Sequence, residues 1–197
     1  MRPASALALF AVLAIPAAAA PAPTRINLRT KEGVAAARAE WRYADIKLVE
    51  VATKDADGKP ITAYSYEPKA TGPDFDDSSW TVVDPTTLGR PRGGTQICFA
   101  WYRTKLTIPA EAKGKRVFFQ TVVDDYGEVW VDGKLPRVGG RGGEAVVAGF
   151  NTPNRLELKG AEPGKTYQIA IFGINGPISA TPANRIFLGE TFLDLAD

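Results

Sequence analysis

The 197-residue chain contains no histidine and a single cysteine, Cys98. The absence of histidine excludes the Ser-His-Asp triad, the Cys-His pair and every zinc or iron site that needs an imidazole ligand. One cysteine excludes intramolecular disulfides, thiolate zinc sites and iron–sulfur clusters. Because Cys98 lies between Ile97 and Phe99 in an apolar run, the sequence predicts a buried, unreactive thiol and a fold stabilised by packing.

An excess of charge of either sign is lacking as well, since 24 lysine and arginine residues face 22 aspartate and glutamate residues. A nucleic-acid-binding protein needs a basic surface, so no nucleic-acid partner is expected. The glycine-rich stretch 139–143 lacks the lysine and the following serine or threonine of a phosphate-binding loop. It also does not join a strand to a helix, and nucleotide binding is therefore unsupported.

The apolar run at the amino terminus is too short to span a bilayer. Arg2 precedes the apolar residues 4–15, and small residues follow at 17–20, in the layout of a secretory signal peptide. We expect residues 1–20 to be removed, the protein to be periplasmic or secreted, and no membrane anchor to remain. The only cysteine is far from the cleavage region, which excludes a lipoprotein anchor.

After the leader, the sequence predicts a short helix and then strands. Residues 32–41 favour a helix with Thr30 as its N-cap, so we assign residues 21–40 to an N-terminal extension that contains this helix. Residues 41–197 consist of short β-type runs separated by turns such as Asp57-Gly58, a pattern typical of a single β-sandwich or barrel. The predicted strands cover 45–51, 61–66, 80–83, 97–108, 116–123, 128–132, 156–158, 167–174 and 185–195.

Three sequence blocks carry a family resemblance. They are Phe-Asp-Asp-Ser-Ser-Trp at 75–80, Phe-Ala-Trp-Tyr-Arg-Thr-Lys-Leu-Thr-Ile-Pro at 99–109, and Val-Asp-Asp-Tyr-Gly-Glu-Val-Trp-Val-Asp-Gly at 123–133. Their order resembles the galactose-binding-like jelly roll, best known as the sugar-binding domain of family 2 glycoside hydrolases, and the N-terminal accessory domain of some gluconolactonase-type proteins. The resemblance implies an all-β jelly-roll β-sandwich with one short N-terminal helix, in which the first two blocks are chiefly architectural.

A sugar-binding site needs flat aromatic faces, together with carboxylates and amides that bond to hydroxyl groups. Asp124, Asp125 and Tyr126 present two acceptors and a ring where a predicted strand ends. Asn151 and Asn175 lie in loops that a jelly-roll topology can bring to the same end. We therefore predict that these five residues form a ligand-binding rim; the alternative is that each one only stabilises its own turn.

Arg103 is a sixth and weaker candidate for ligand binding. Strand alternation places it on the same face as Phe99 and Trp101. In the alternative interpretation, Trp101 lies in the core and Arg103 pairs with a carboxylate at the margin of the sheet.

No catalytic residue is assigned, because adjacent carboxylates such as Asp124 and Asp125 point to opposite faces of a strand unless the chain turns between them. No cofactor is expected other than a structural calcium ion. Calcium is the metal that the composition allows, since it accepts carboxylate and backbone oxygens without histidine or cysteine.

These observations predict an exported, non-catalytic module that binds a carbohydrate or polyol. A second hypothesis is an accessory or scaffold domain that docks on a partner enzyme, which predicts an exposed apolar patch without a polar pocket. A third is a histidine-free lyase or isomerase acting on a sugar-derived substrate, which requires a closed pocket that holds Tyr126 or Arg103 beside a carboxylate.

Overall fold

The computed structural model describes residues 24–94, 97–136, 147–149, 151–176 and 185–197. It consists of antiparallel strands with little helix, which confirms the predicted all-β sandwich. In chain order the helix and strands are β1 (Thr24–Asn27), α1 (Lys31–Ala36), β2 (Trp41–Asp45), β3 (Lys47–Lys54), β4 (Pro60–Glu67), β5 (Thr81–Val83), β6 (Cys98–Thr107), β7 (Arg116–Asp124), β8 (Tyr126–Val131), β9 (Val147–Gly149), β10 (Pro153–Glu157), β11 (Thr166–Asn175) and β12 (Phe187–Ala196).

The strands form three sheets in the described part of the chain. A four-stranded sheet has the order β1-β12-β7-β10, and a six-stranded sheet has the order β5-β2-β6-β11-β8-β9. Strands β3 and β4 pair with each other as a separate hairpin. Most neighbours in the two large sheets are distant in the chain, so the register between strands decides which side chains meet.

The two large sheets pack face to face around a hydrophobic core. Phe119 and Leu193 enter it from the four-stranded sheet, and Tyr102 and Ile171 enter it from the six-stranded sheet. All four side chains are fully buried. Cys98 belongs to the same core, and burial raises the pKa of its thiol, so the prediction of a buried thiol is confirmed.

The opposite face of the six-stranded sheet, here called the outer face, is partly covered as well. Trp101 and Phe172 lie on it, with their ring centroids 5.1 Å apart, in a second apolar cluster that includes Ala70. Ala70 belongs to residues 68–80, here called the covering segment, which passes over this face. The Trp101 indole N–H donates to the carbonyl oxygen of Pro68 at 2.9 Å. A small second core therefore attaches the covering segment to the sheet.

Helix α1 is shorter than predicted. Thr30 is its N-cap as expected, because its hydroxyl accepts a hydrogen bond from the backbone N–H of Gly33 at 3.0 Å. The helix ends at Ala36, and Arg38 has a left-handed φ of 46°. Trp41 then starts β2 with its indole fully buried and bonded to a backbone carbonyl oxygen 3.1 Å away. Burial of this indole in a sheet outweighs the helical propensity of the preceding alanines.

Strands β1 and β2 are two of the three strands that lie where the sequence predicted none; the third is β9. Strand β1 pairs with β12, with Thr24 opposite Leu195, so the residues assigned to an N-terminal extension supply an edge of the four-stranded sheet. Strand β2 pairs with β6, with Trp41 opposite Thr104. Strands of four and five residues are too short to show a clear alternating pattern, which explains the omission.

The predicted leader, residues 1–20, lies outside the described residues. Within the ranges that the structure describes, no helix has both the length and the apolar character needed to cross a bilayer.

The hairpin of β3 and β4 exposes large apolar side chains. Leu48 is 45% exposed, Ile61 is 44% exposed and Tyr64 is 69% exposed. At its base the Tyr66 ring packs on the outer face, with its centroid 5.2 Å from that of Phe172. An isolated two-stranded hairpin is marginally stable in water, so this contact helps to anchor it.

Candidate functional site

Four of the six candidate residues meet at one end of the six-stranded sheet. Asp124 is the last residue of β7, Asp125 lies between β7 and β8, and Asn175 is the last residue of β11. The backbone N–H of Asp125 donates to the carbonyl oxygen of Ile174, and the N–H of Asn151 donates to that of Asp125, both at 3.3 Å. We refer to Asp124, Asp125, Asn151 and Asn175 as the rim cluster.

The side chains of the rim cluster are tied to one another and to the loop after β11. The Asn175 amide nitrogen donates to Asp124 Oδ2 at 3.2 Å and to the carbonyl oxygen of Arg185 at 2.7 Å. The N–H of Gly176 donates to Asp125 Oδ2 at 3.4 Å. The peptide bond between the two aspartates is cis. Because Asp124 accepts from Asn175 and Asp125 accepts from Gly176, the two adjacent carboxylates lie at the same rim.

The electrostatics of the rim follow from this proximity. Burial raises the pKa of the Asp124 carboxyl, and the charge of Asp125 raises it further, while hydrogen bonds from Asn151 and Asn175 lower it. Asn151 has a φ of 58°, a left-handed conformation that asparagine adopts more readily than most residues. The rim therefore combines two neighbouring carboxylate acceptors with two amides, each of which carries a donor and an acceptor.

Tyr126, the fifth candidate, begins β8 next to the rim cluster and lies on the outer face of the sheet. Its hydroxyl donates to Glu128 Oε1 at 3.0 Å, and the Trp130 indole N–H donates to Glu128 Oε2 at 3.2 Å. All three side chains are half-buried. Glu128 is not among the predicted site residues, although the spacing of 126, 128 and 130 on one strand places the three on one face.

Arg103 lies apart from the rim cluster. On β11 its register partner is Ala170, five residues before Asn175. Its side chain is 1% exposed, and Nε donates to Asp77 Oδ2 at 2.7 Å. Its remaining nitrogens donate to backbone carbonyl oxygens of the covering segment, those of residues 70, 72 and 75. Arg103 thus has the architectural role that the alternative interpretation described, and we do not include it in the proposed site.

Among the described residues, no group of three or more aspartate, glutamate or cysteine side chains lies close enough together to hold a metal ion. The two carboxylates of the rim cluster and its amide oxygens are donors of the kind that calcium accepts. A structural calcium ion remains a prediction.

Comparison with known proteins finds no matching family model and no matching curated protein. Among solved structures, the chain is similar to a calcium binding mutant of Bacteroides uniformis beta-glucuronidase 2, at 13% identity and a TM-score of 0.48, over 88% of this chain and 18% of that one. It is also similar to a beta-glycosidase from Bacteroides vulgatus, at 16% identity and a TM-score of 0.48, over 84% and 20% of the two chains.

A third similar structure is a glycosyl hydrolase family 2 member from Bacteroides cellulosilyticus, at 16% identity and a TM-score of 0.44, over 79% of this chain and 20% of that one. The chain therefore spans a fifth or less of the length of these enzymes. The predicted resemblance to family 2 glycoside hydrolases is confirmed. With TM-scores below 0.5, these alignments do not extend to ligands or activity.

Proposed function

We propose that this chain is a carbohydrate- or polyol-binding module whose ligand contacts the rim cluster and Tyr126. The observation that carries the proposal is the convergence of two carboxylates and two amides beside an aromatic ring. Neighbouring sugar hydroxyls need paired donors and acceptors once they leave water, and carboxylates and amides supply them. The Tyr126 ring supplies an apolar surface for one face of a pyranose.

Binding without turnover fits this geometry better than catalysis does. The two aspartates are adjacent in the chain and lie on one rim, whereas glycoside hydrolysis needs carboxyl groups on both sides of the scissile bond. The amides of Asn151 and Asn175 bond to the Asp124 carboxyl, which favours its role as a fixed acceptor. We further propose that the module acts in the periplasm or outside the cell, as the sequence of residues 1–20 predicts.

The hairpin of β3 and β4 supports a second candidate function, docking on a partner enzyme. Leu48, Ile61 and Tyr64 are exposed there, as the docking hypothesis requires. We rank it second because the rim cluster supplies the polar site that this hypothesis lacks. Substitution of Leu48 and Tyr64 by serine distinguishes the two functions, since it removes a docking surface and leaves glycan binding unchanged.

A glycan array probed with the full chain, with and without calcium, tests the proposed function. Each glycan that binds is then titrated by isothermal calorimetry against Asp125→Ala and Tyr126→Ala. We expect each substitution to weaken binding at least tenfold, because it removes an acceptor or a stacking surface.

The matched controls are Asp57→Ala and Tyr64→Ala, which remove the same side-chain types from the exposed hairpin. Thermal unfolding of each variant confirms that it is folded. The proposal fails if no glycan binds, or if the rim variants bind as tightly as the hairpin controls.

A further inference from the structure

A cleft of about 390 Å³ lies on the outer face, at the end of the sheet opposite to the rim cluster. Here β6 ends and β11 begins, with Thr107 opposite Thr166, whereas the rim cluster lies where Asn175 is opposite Cys98. The residues that matter for its chemistry are Arg38, Arg42, Phe75, Lys105, Thr166 and Gln168. We call this cavity the basic cleft. It shares no residue with the rim cluster.

The charges around the basic cleft do not cancel. Arg42 contacts Glu40 at 2.6 Å and Asp77 at 3.6 Å, and Asp77 also pairs with the buried Arg103 behind it. Both carboxylates, Glu40 and Asp77, are thus already paired with these two arginines.

Arg38 and Lys105 line the same cleft, and in the part of the chain that the structure describes neither forms an ion pair. Both side chains are exposed to solvent. Counting Arg103, four cations and two carboxylates leave an excess of two positive charges. A cavity with a net excess of positive charge attracts anionic ligands.

Neutral hydrogen-bonding groups lie beside these cations. Gln168 is opposite Lys105 in the sheet and is only 7% exposed. Its amide nitrogen donates to the backbone carbonyl oxygens of Thr104 and Ile169, both at 3.1 Å. The orientation of the amide is therefore fixed, and its oxygen is left as an acceptor. The hydroxyls of Thr107 and Thr166 add groups that both donate and accept.

One wall of the basic cleft is aromatic. Phe75 is half-buried, its ring centroid lies 5.4 Å from that of Trp80, and the Arg103 guanidinium lies over it at 5.3 Å. The ring is thus held in place by the covering segment and the sheet. A cavity of this volume is at the lower end of the range for small-molecule sites and suits a ligand the size of one or two sugar rings.

We propose that the basic cleft binds the anionic group of an acidic saccharide, a carboxylate or sulfate ester on a sugar ring. Arg38 and Lys105 contact the anion, while Gln168, Thr107 and Thr166 contact hydroxyls. The neutral groups and the Phe75 ring favour a sugar over a simple inorganic anion, which would need only the cations. This site is independent of the rim cluster, so either can exist without the other.

Titration of the ¹⁵N-labelled full chain, followed by ¹H–¹⁵N NMR, tests this proposal. The probes are glucuronic and galacturonic acid, the neutral sugars glucose and galactose, and inorganic sulfate. We expect the sugar acids to shift the signals of Lys105, Thr166 and Gln168, with affinity at least tenfold higher than that of the neutral sugars. Added salt should weaken this binding.

Lys105→Glu should abolish the binding of the sugar acids, whereas Lys54→Glu on the exposed hairpin should leave it unchanged. Shifts that are confined to the signals of Lys105, Thr166 and Gln168, with none at Asp125 or Asn175, separate this site from the proposed function. Three results would overturn the proposal: equal binding of acidic and neutral sugars, unaltered binding by Lys105→Glu, or sulfate binding as tight as that of the sugar acids.

Discussion

Strand β11 connects two regions of opposite chemistry. At its carboxyl end, Asn175 lies among the two carboxylates of the rim cluster. At its amino end, Thr166 lies in the basic cleft beside Lys105. Asn175 lies nine positions after Thr166 along the extended strand, a distance of about 30 Å. A chain whose total charge is nearly balanced thus presents an acidic site at one end of a sheet and a basic site at the other.

The two regions also differ in how their charges are stabilised. In the rim cluster two like charges lie together; burial and then the charge of Asp125 raise the pKa of Asp124, and hydrogen bonds from the two amides oppose that rise. In the basic cleft, the opposite charges of Asp77 and Arg103 meet at 2.7 Å with the arginine fully buried. The rim can therefore be altered by protonation, whereas the cleft depends on an ion pair that also holds the covering segment.

The largest predicted effect is a loss of folding stability when Arg103, which lies behind the basic cleft, is replaced. Arg103→Ala should lower the free energy of unfolding in urea by about 3 to 5 kcal/mol, because it leaves Asp77 and three backbone carbonyls without their buried partner. The matched control is Arg116→Ala, because the Arg116 side chain is exposed while its partner Glu157 is half-buried, as Asp77 is. That change should cost less than about 1 kcal/mol. Similar losses in the two variants would contradict the architectural role of Arg103.

The second predicted effect, of intermediate size, is a change in the pKa of Asp124 in the rim cluster. The raised pKa of Asp124 means that the folded state holds this proton more tightly than the unfolded chain does. The resulting stabilisation is complete below the ordinary value of 3.8 and is lost as the pH rises through the raised pKa. Asp125→Asn removes one of the two causes that raise it, so the pKa of Asp124 should fall towards its ordinary value.

A ¹³C NMR titration of the side-chain carboxyl groups measures this change. Asp84 is the internal control, because hydrogen bonds from Thr86 lower its pKa and the substitution should not affect it. An Asp124 pKa that is identical in the wild type and in Asp125→Asn would show that the two carboxylates do not interact.

The smallest effect concerns Arg38, which has a left-handed φ of 46°. Glycine adopts this conformation without a steric penalty, so Arg38→Gly should raise the free energy of unfolding by about 0.5 kcal/mol while it weakens the basic cleft. Ala35→Gly inside α1 is the control and should lower stability by about 0.5 to 1 kcal/mol. A loss of stability in Arg38→Gly would show that the arginine side chain contributes to the fold.

The sequence predicts the rim better than the cleft, for a physical reason. Asp124, Asp125 and Tyr126 are consecutive, and Asn175 ends a long apolar strand, so turn chemistry and strand ends indicate the rim. Arg38, Lys105 and Gln168 come from three distant segments that only the strand register brings together. No local pattern contains that information.

The strands and the helix show the same difference between features set by local sequence pattern and features set by the pairing of distant segments. The N-cap Thr30 and the long strands β6, β7 and β11 follow from local pattern, and the structure contains all of them. Strands β1 and β2 are short and depend on pairing with distant partners, so they were not predicted. Similarly, strand alternation places Asp124 and Asp125 on opposite faces unless the chain turns between them. That turn is set by contacts with β11 and with Asn151, which no local pattern contains.

The pairing of β1 with β12 brings the two ends of the described chain close together. Thr24 lies opposite Leu195, and paired strands are about 5 Å apart, so a short glycine linker can connect the two ends of the described chain. The chain can then be reopened at the exposed Asp57-Gly58 turn of the hairpin. Such a circular permutant keeps every strand pair of both large sheets, and it moves the new termini away from the edge strand β1 and its neighbour β12.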